Sequence, residues 1–436
     1  MKKKKLLGAL AGAALAALLM AGCSGSADSS STEASEGDTT KLVFWCHENE
    51  AWNVAYEDMA AKFEAAHPEY DVEVVSYPFG EYVDKMQTAL SADEGEVDVM
   101  AVWGGMAPSF IETDALAAVP EDLSSELDSD YLDPTLGIYK KEGTYFGVPM
   151  EFNLEYGGLI VNKKLFDEAN IEYPTTWEEL RAVSDQVSES DGDVVSMGGI
   201  EMIDGDALIC NYLAMILQQG GQYIQDDGSV NFATPEGIKA MEEMVSMVKN
   251  GECTLEHLSM DNYCFEDVYS DKAYGCSVGS WAISEGTESF GLTYGEDFEY
   301  IPTPQYGDQM AFASETGWGL IVPANGKNQE AAWEFVKFFS EPENLLDHNI
   351  ACAQLPPRKS LLESEEYKEA LPQAAFLLDI LPNGQWMGPY NTSDMRAIFN
   401  QTFIDLCDAE DPDYETALAE ASQEISDTCK ISYSME

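Results

Sequence analysis

The sequence is 436 residues long and strongly acidic, with 80 Asp and Glu residues against 22 Lys and Arg residues and a formal net charge of −58. A field of this sign repels nucleic acid and anionic lipid, so we expect no nucleic-acid partner. The negative charge also disfavours anionic substrates. It gives little information about neutral ligands, and it is compatible with cationic peptides or amines as ligands. The length is sufficient for two domains, each with its own core.

The N-terminal residues carry an export signal. Lys2–Lys5 form a positively charged start, and Leu6–Met20 is an uncharged apolar run, shorter than the ~20 residues that a bilayer-spanning helix needs. Small residues then lead directly to Cys23. This order resembles the bacterial lipoprotein signal, which implies a signal peptide over residues 1–22, lipidation of Cys23 with acyl chains such as palmitate, and a membrane anchor. The alternative is an ordinary secretory signal that ends at a cysteine by chance.

Cleavage before Cys23 would leave 414 residues with 18 Lys and Arg against 80 Asp and Glu, a formal net charge of −62. Residues 24–40 contain no aromatic or branched apolar residue, so we expect residues 23–40 to be the lipidated cysteine and a disordered tether. No later stretch reaches the length of a transmembrane helix, so we expect the rest to be water-soluble. A lone anchor also favours a bacterium with a single membrane.

The cysteines and histidines do not form a metal or redox motif. Eight cysteines after Cys23 are spread thinly, none of them in a C-x-x-C pair, and the four histidines are not spaced as ligand pairs. We therefore expect no metal and no cofactor. Most cysteines are expected to be small buried residues, although Cys253, Cys264 and Cys276 leave one bridged pair open.

From Lys41 onward, strands and helices alternate. The predicted strands are Lys41–Cys46, Asp71–Tyr77 and Val97–Trp103, and the predicted helices are Glu50–Ala66 and Glu81–Leu90. This spacing is typical of β-α-β units and a parallel sheet that is covered on both faces. Ligands bind beyond the carboxyl ends of such strands, where Trp45 and Trp103 lie.

The stretch from Tyr145 to Leu180 carries the most information. It contains YFGVPMEFN from Tyr145, GLIVNKKLF from Gly158 and YPTTWEEL from Tyr173. Physically this is a strand, a polar and aromatic crossing, a second strand, and a helix with Thr176 as its N-cap. The order resembles the extracellular solute-binding proteins of ABC importers, of the carbohydrate-binding, maltose-binding-protein-like class (family 1). Val161 stands where that family usually has an aromatic residue.

The resemblance continues downstream and covers nearly all of Leu42–Cys429. Its further parts are the strand and turn Ser270–Ala282, the strand Gly317–Pro323, the helix Asn328–Glu341, the Pro-Pro-Arg at 356–358, and closing helices over Asp394–Leu406 and Tyr414–Cys429. The helix Asn328–Glu341 has an apolar face, which consists of Ala332, Phe335, Val336 and Phe339. The motifs are weak one by one, and their order over the chain makes the match specific.

The resemblance implies an α/β, two-lobed fold of the periplasmic-binding-protein kind (type II), each lobe a mainly parallel sheet flanked by helices. Hinge crossings are expected near residues 153–157 and 302–306, with a third link near residue 350. The first lobe would comprise residues 41–152 plus 305–350. The second lobe would comprise residues 153–304 plus 351–436.

The same resemblance implies a monomeric, lipid-anchored substrate-binding subunit of an ABC importer on the extracellular face of the cell membrane. Such a protein captures a mono- or oligosaccharide between its lobes, closes about the hinge, and delivers the sugar to the transmembrane permease subunits. No bond in the ligand is made or broken, so we do not expect an enzyme.

Candidate ligand-binding residues follow from the chemistry of a sugar, whose apolar faces suit aromatic rings and whose hydroxyls suit acid and amide side chains. The candidate rings lie at strand ends or in Gly/Pro-rich loops, and are Trp45, Trp103, Trp281, Trp318 and Trp386. The candidate hydrogen-bonding residues are Glu48, Glu151, Asn153 and Tyr390, with Arg358 a weaker one. The resemblance makes Trp281 the counterpart of the family's binding-site aromatic residue.

The sequence leaves two alternatives open. A binding protein for peptides or cationic solutes fits the negative charge, and it predicts carboxylates in the cleft and an affinity that falls with salt. A serine hydrolase is suggested by Gly275–Gly279, which reads G-x-S-x-G with Ser277 as the nucleophile and His348 downstream. The hydrolase lacks an HGGG-like segment, and a chain rich in Gly and Ser produces this motif by accident.

Overall fold

The computed structural model describes residues 39–191, 194–205, 207–258 and 263–429. The predicted signal peptide, Cys23 and nearly all of the predicted tether therefore lie outside the described residues. Within the described ranges, no helix is both long enough and apolar enough to cross a membrane.

Short strands and many helices make up the described chain. The strands are β1 (Thr40–His47), β2 (Tyr70–Tyr77), β3 (Val99–Trp103), β4 (Lys140–Lys141), β5 (Thr144–Tyr145), β6 (Val148–Pro149), β7 (Gly158–Asn162), β8 (Glu189–Asp191), β9 (Val194–Glu201), β10 (Ala273–Ser277), β11 (Phe298–Pro302), β12 (Phe312–Ser314), β13 (Trp318–Ile321) and β14 (Gly384–Trp386). The α-helices are α1 (Glu50–Ala66), α2 (Phe79–Leu90), α3 (Ala107–Glu112), α4 (Glu121–Asp130), α5 (Asp133–Leu136), α6 (Lys163–Ala169), α7 (Trp177–Val187), α8 (Ala207–Gln218), α9 (Pro235–Lys249), α10 (Cys264–Tyr269), α11 (Ala282–Ser284), α12 (Gln329–Ser340), α13 (Pro342–Ala351), α14 (Glu365–Ala370), α15 (Ala375–Ile380), α16 (Ser393–Asp408) and α17 (Tyr414–Thr428).

Most of the predicted elements are present. The helix predicted over Glu50–Ala66 has those bounds, and the strands that precede and follow it differ from prediction by one or two residues. Thr176 caps α7 in a capping box, in which its side chain accepts from Glu179 N and the Glu179 side chain accepts from Thr176 N. Local capping chemistry therefore fixes the start of this helix as the sequence predicts.

Two five-stranded sheets organise the chain, with strand orders β2-β1-β3-β13-β6 and β11-β7-β10-β9-β8. In the first, β1 pairs in parallel with β2 and β3, whereas β13 runs antiparallel to β3 and β6. In the second, β9 and β10 are parallel, and the remaining pairs are antiparallel. The expectation of a mainly parallel sheet in each lobe is therefore wrong, and both sheets are mixed.

The reason is the route of the chain between the sheets. Parallel neighbours need a crossover connection, which the first three strands of the first sheet have in α1 and α2. β13 instead returns to the first sheet from residues that pack in the other core, and β7 enters the second sheet directly after such a crossing. A strand that enters from the opposite side runs antiparallel to its neighbour.

Two hydrophobic clusters surround these sheets, and we call them the first core and the second core. The first core takes buried residues from Leu42 to Met150 and from Trp318 to Cys352. The second core takes buried residues from Phe152 to Ala313 and from Ala353 to Cys429, together with Leu346. The chain thus passes from one core to the other near residues 151, 314–317 and 352. The lobe boundaries given above stay predictions.

The eight cysteines in the described part of the chain are all free thiols. Seven are buried, and Cys407 is partly exposed. Burial raises the pKa of the Cys264 and Cys276 thiols, so both are protonated at neutral pH. These residues behave as small apolar residues, as expected for most of them, and none forms a bridge.

Candidate functional site

A cavity of about 790 Å³ lies between the two cores and is the main candidate for a binding site. It is lined from the first core by residues such as Trp52, Phe79 and Trp318, and from the second core by residues such as Phe265 and Trp281. Ligand pockets in proteins are typically cavities of about this size, with aromatic walls and a few polar groups.

The first wall presents Trp318, which β13 carries next to Trp103 of β3. The Trp318 ring stacks on His47 with centroids 4.3 Å apart and planes 21° apart. Trp52 and Phe79 meet it edge-on, at 5.9 Å and 6.3 Å. Because three rings enclose it, Trp318 is only 9% exposed and its orientation is fixed by packing.

The second wall presents Trp281, which is partly exposed and contacts both cores. Its Nε1 donates to Glu155 Oε1 at 3.0 Å, and Gly279 N donates to Glu155 Oε2 at 3.0 Å. Phe265 meets the ring edge-on at 5.4 Å. A Cβ on Gly279 would lie 2.6 Å from the Trp281 ring, so this close approach requires glycine.

Glu151 lies where the chain first leaves the first core. Its Oε1 accepts from Trp318 N at 2.9 Å, and the side chain is buried. Burial raises the pKa of Glu151 to about 8, since the single backbone hydrogen bond offsets only part of the lost hydration. Glu151 is therefore mostly protonated at neutral pH, and its hydroxyl is available as a donor.

Glu315 lies where the chain returns from the second core to the first, and it is 3% exposed. Its carboxylate accepts from Trp103 Nε1 at 3.2 Å, Asn391 Nδ2 at 3.2 Å and an Arg396 guanidinium nitrogen at 2.6 Å, and also from Asn153 Nδ2. The Arg396 guanidinium lies over the Trp103 ring at 5.1 Å. Four donors thus meet at one carboxylate among the cavity residues.

Further acidic residues line the cavity. Asn49, the N-cap of α1, donates from Nδ2 to Glu285 Oε1 in the turn after α11, and this contact joins the elements of the two cores. Glu48, Glu50 and Glu266 also line the cavity. Burial raises the pKa of Glu266, and the nearby Asp267 and Glu285 carboxylates add to that effect.

Six of the nine predicted ligand-binding residues meet at this cavity. They are Glu48, Trp103, Glu151, Asn153, Trp281 and Trp318. The other three lie elsewhere. Trp45 packs edge-on against Tyr77 at 5.2 Å. The Trp386 ring fills the space that a side chain on Gly137 would occupy. The hydroxyl of Tyr390 donates to Gly228 O at 2.6 Å. The weaker candidate Arg358 is buried and pairs with Glu126 and Asp130, each at 2.9 Å.

Several cavity residues were not among the sequence candidates, notably Glu155, Glu315 and Arg396. A local signal existed for Glu155, because Glu151, Asn153 and Glu155 alternate along the crossing and an extended chain places alternate residues on one side. No local signal connects Glu315 with Arg396, which is 81 residues further along the chain.

The hydrolase alternative finds no support in the placement of its residues. Ser277 is buried and its hydroxyl donates to Asn211 Oδ1 at 3.2 Å. His348 is buried elsewhere, where it stacks on Tyr56 at 5.2 Å and approaches the Cys352 thiol. Burial lowers the pKa of His348 to about 3. In the described ranges, no group of three or more His, Cys, Asp or Glu side chains is placed to hold a metal ion.

The two-lobed α/β fold with a cavity between its lobes defines the class of type II periplasmic binding proteins. Residues 49–345 match the model of the bacterial extracellular solute-binding protein family, and the chain belongs to that family.

Curated relatives match part or most of the chain. The arabinooligosaccharide-binding protein of Bacillus subtilis is 24% identical over 336 residues, which are 74% of this chain and 73% of that protein. The arabinooligosaccharide-binding protein of Halalkalibacterium halodurans is 22% identical over 213 residues, which are 48% of this chain and 46% of that protein. The match with the Halalkalibacterium halodurans protein thus covers about half of that protein's length.

Solved structures share the fold. Maltose-bound MalE3 of T. maritima has a TM-score of 0.72 and 20% identity, over 89% of this chain and 99% of that chain. The GacH receptor of Streptomyces glaucescens, solved unliganded and with acarbose, has a TM-score of 0.73 and 22% identity, over 91% of this chain and 100% of that chain.

Proposed function

We propose that this protein captures a mono- or oligosaccharide in the cavity between its two cores. The observation that carries the proposal is the pair of tryptophan rings, Trp318 and Trp281, that reach the cavity from opposite cores with hydrogen-bonding side chains between them. Flat rings cover the apolar faces of a sugar, and the polar groups bind its hydroxyls. The sugar-binding names of the relatives support the same class of ligand.

Binding would proceed by hinge closure, as in two-lobed proteins that close around a ligand. The side chains on the two walls can contact one ligand together only when the cores are close. Two contacts already bring the cores close in this structure. The side chains of Asn49 and Glu285 form a hydrogen bond between elements of the two cores, and Trp281 packs against both cores. The ligand would therefore favour the closed arrangement through contacts that the open arrangement lacks.

The electrostatics of the cavity interior suit a neutral ligand. Glu151 is mostly protonated at neutral pH because its pKa is raised to about 8. Glu315 pairs with Arg396 at 2.6 Å, which offsets one carboxylate charge with one guanidinium charge. Glu155 accepts two hydrogen bonds from its own wall. The interior thus offers donors and acceptors, and two of its three glutamates, Glu151 and Glu315, carry little net charge.

A cationic ligand is the second candidate, because the cavity lining is acidic. Seven glutamates line it, whereas Arg396 is the only Lys or Arg among the described lining residues. Besides Glu151, Glu155 and Glu315, the lining glutamates are Glu48, Glu50, Glu266 and Glu285. A ligand bound through these carboxylates would lose affinity as salt rises, whereas a neutral sugar would not.

The decisive experiment is thermal unfolding of the purified full-length protein against mono- and oligosaccharides, amino acids, short peptides and polyamines, each at low and high salt. A ligand that binds only the folded state stabilises it by about 2.7 kcal/mol at ~100-fold excess over its dissociation constant. We expect one sugar series to raise the midpoint independently of salt. A response to amines alone, lost at high salt, would support the second candidate and contradict the first.

The site is tested by Trp281→Ala, which should abolish the sugar response. Trp333→Ala is the matched control, because Trp333 is also partly buried but packs on the first core away from the cavity lining. A sugar response that survives Trp281→Ala, or that is lost equally in the control, would contradict this placement of the ligand.

We further propose that Cys23 is lipidated, that the protein is held as a monomer on the extracellular face of the cell membrane, and that it delivers its sugar to the permease of an ABC importer. The sequence order around Cys23 supports the anchor, and membership of the extracellular solute-binding family supports the location. Cys23→Ala should release the protein from the membrane fraction. Wild-type protein that washes off at high salt would contradict a lipid anchor.

A further inference from the structure

We propose that Glu315 is a positioning residue that orients Trp103 toward the ligand and couples it to the second-core wall. The inference rests on the proposed binding of a sugar in this cavity, and it adds a role to a residue that the family match alone does not single out.

The four donors come from both sides of the cavity and from a crossing. Trp103 ends β3, whose strand packs in the first core. Asn153 lies on the crossing that leaves the first core. Asn391 lies just before the N-cap of α16 and Arg396 lies in its first turn, and this helix packs in the second core. Glu315 itself lies on the returning crossing, between β12 and β13. The carboxylate thus joins a strand of the first core, the crossing that leaves that core, and residues at the start of a second-core helix.

Trp103 depends on Glu315 in two ways. Its Nε1 donates to Glu315 Oε2 at 3.2 Å, which fixes the direction of the indole edge. The same oxygen accepts from Arg396 at 2.6 Å, and this holds the guanidinium over the Trp103 ring at 5.1 Å. A hydrogen bond at the edge and a cation on one face leave the ring little freedom to rotate.

Both carboxylate oxygens are essential to this arrangement, because together they accept four donors. The donors to Oε2 come from Trp103, Asn391 and Arg396, and Asn153 donates to Oε1. Glutamine has nearly the same shape but replaces one oxygen with an NH₂ group, which would face these donors. Glu315→Gln therefore loses acceptors without opening a void, and the Trp103 ring should lose its fixed orientation.

The first test needs no ligand, so it remains informative even if no sugar binds. Protein labelled with fluorotryptophan is observed by fluorine NMR, and the Trp103 and Trp333 resonances are assigned with Trp→Phe variants. We expect Glu315→Gln to shift or broaden the Trp103 resonance and to leave the Trp333 resonance unchanged. An unmoved Trp103 resonance in folded Glu315→Gln would overturn the proposal.

Glu252→Gln is the matched control. Glu252 is also buried and pairs with an arginine, since its two oxygens accept from Arg181 Nε and a terminal guanidinium nitrogen. This pair lies within the second core elements and does not line the cavity. Glu252→Gln should lower stability with no change in the Trp103 resonance. If both substitutions move that resonance alike, the effect is general loosening and the proposal fails.

The second test measures affinity, with maltotriose and arabinotriose as the probes. Glu315→Gln should weaken binding of the responding sugar by about tenfold, the usual order for a buried charge-assisted contact. If Glu315 acts through Trp103, the effect of Glu315→Gln should largely disappear once Trp103 has been replaced. In a Trp103→Phe background, Glu315→Gln should therefore weaken sugar binding by less than about twofold. Fully additive losses would show that Glu315 does not act through Trp103.

A second variant covers the case in which Glu315→Gln does not fold. Arg396→Lys keeps a cation near Glu315 but replaces the flat guanidinium that lies over the Trp103 ring. It should also move the Trp103 resonance in the ligand-free protein. A folded Arg396→Lys variant with an unchanged Trp103 resonance would contradict the coupling just as directly.

Discussion

Trp318 and Trp281 face the cavity from opposite walls, and each is held by a glutamate of the same crossing segment. Glu151 accepts from the backbone N of Trp318, whereas Glu155 accepts from the indole Nε1 of Trp281. Trp318 is further enclosed by three rings and is 9% exposed, while Trp281 meets one ring and is partly exposed. The first ring is therefore fixed by packing and the second by a directional hydrogen bond.

This difference indicates a division of labour between the walls. A ring fixed by packing belongs to a core, so its removal should cost folding free energy. A ring fixed by a hydrogen bond at its edge keeps a face available to a ligand, so its removal should cost binding more than folding. The comparison can be tested with four substitutions.

The largest effect is expected from Trp318→Ala. Removing a ring enclosed by His47, Trp52 and Phe79 leaves a void, and we expect the free energy of unfolding to fall by about 3–5 kcal/mol. Urea denaturation followed by circular dichroism measures this loss. A loss below about 1 kcal/mol would show that the neighbouring rings collapse into the space, and the first wall would then not be a rigid platform.

Glu151→Gln tests the buried carboxyl beneath the first ring. The folded pKa of Glu151 is raised to about 8 from the ordinary value of 4.5, so between these values the folded state holds a proton that the unfolded state has released. Stability then falls as pH rises through this window, by about 1.4 kcal/mol per pH unit. Glutamine keeps an acceptor for Trp318 N and does not titrate.

The measurement is the free energy of unfolding from pH 4 to pH 9, and the variant should gain stability over wild type progressively between about pH 4.5 and pH 8. Glu366→Gln, an exposed substitution, controls for the loss of one carboxyl from an acidic chain. Parallel curves for wild type and Glu151→Gln would mean that Glu151 is ionised in the folded protein.

Trp281→Ala should cost less folding free energy than Trp318→Ala, about 1–2 kcal/mol, because the ring is partly exposed and contributes one side-chain hydrogen bond. The response of the thermal midpoint to sugar should nevertheless disappear. The comparison between the walls fails if the two substitutions destabilise the fold equally, or if Trp318→Ala alone removes the sugar response.

The sequence predicted the fold and part of the cavity, and its errors have physical causes. The order of motifs predicted the two-lobed α/β fold, whereas the strand directions depended on where the chain crosses between cores. Trp45 was expected at the carboxyl end of a strand, but β1 continues to His47, so Trp45 lies two residues short of the edge and packs on Tyr77. His47 stands at the edge instead and stacks on Trp318.

The residues that the sequence did not identify are those held by distant partners. Glu315 is held at the cavity by hydrogen bonds from Trp103, Asn153 and Arg396. These residues are far apart along the chain, so no local spacing in the sequence predicts that they meet. Trp386 was a candidate because it lies beside Gly and Pro, which permit exposure but do not require it. In the fold, its ring covers the bare backbone of Gly137.

The smallest effect is expected from Tyr390→Phe, which tests whether the second wall extends to this predicted rim residue. The hydroxyl of Tyr390 donates to Gly228 O at 2.6 Å, and the ring packs on the second core outside the cavity lining. Losing one partly exposed hydrogen bond should cost about 1 kcal/mol of folding free energy or less, with the sugar response unchanged. Thermal unfolding with and without sugar separates these quantities. If the sugar response falls while stability does not, the ligand reaches Tyr390, and the second wall is larger than Trp281 and its hydrogen-bonded support.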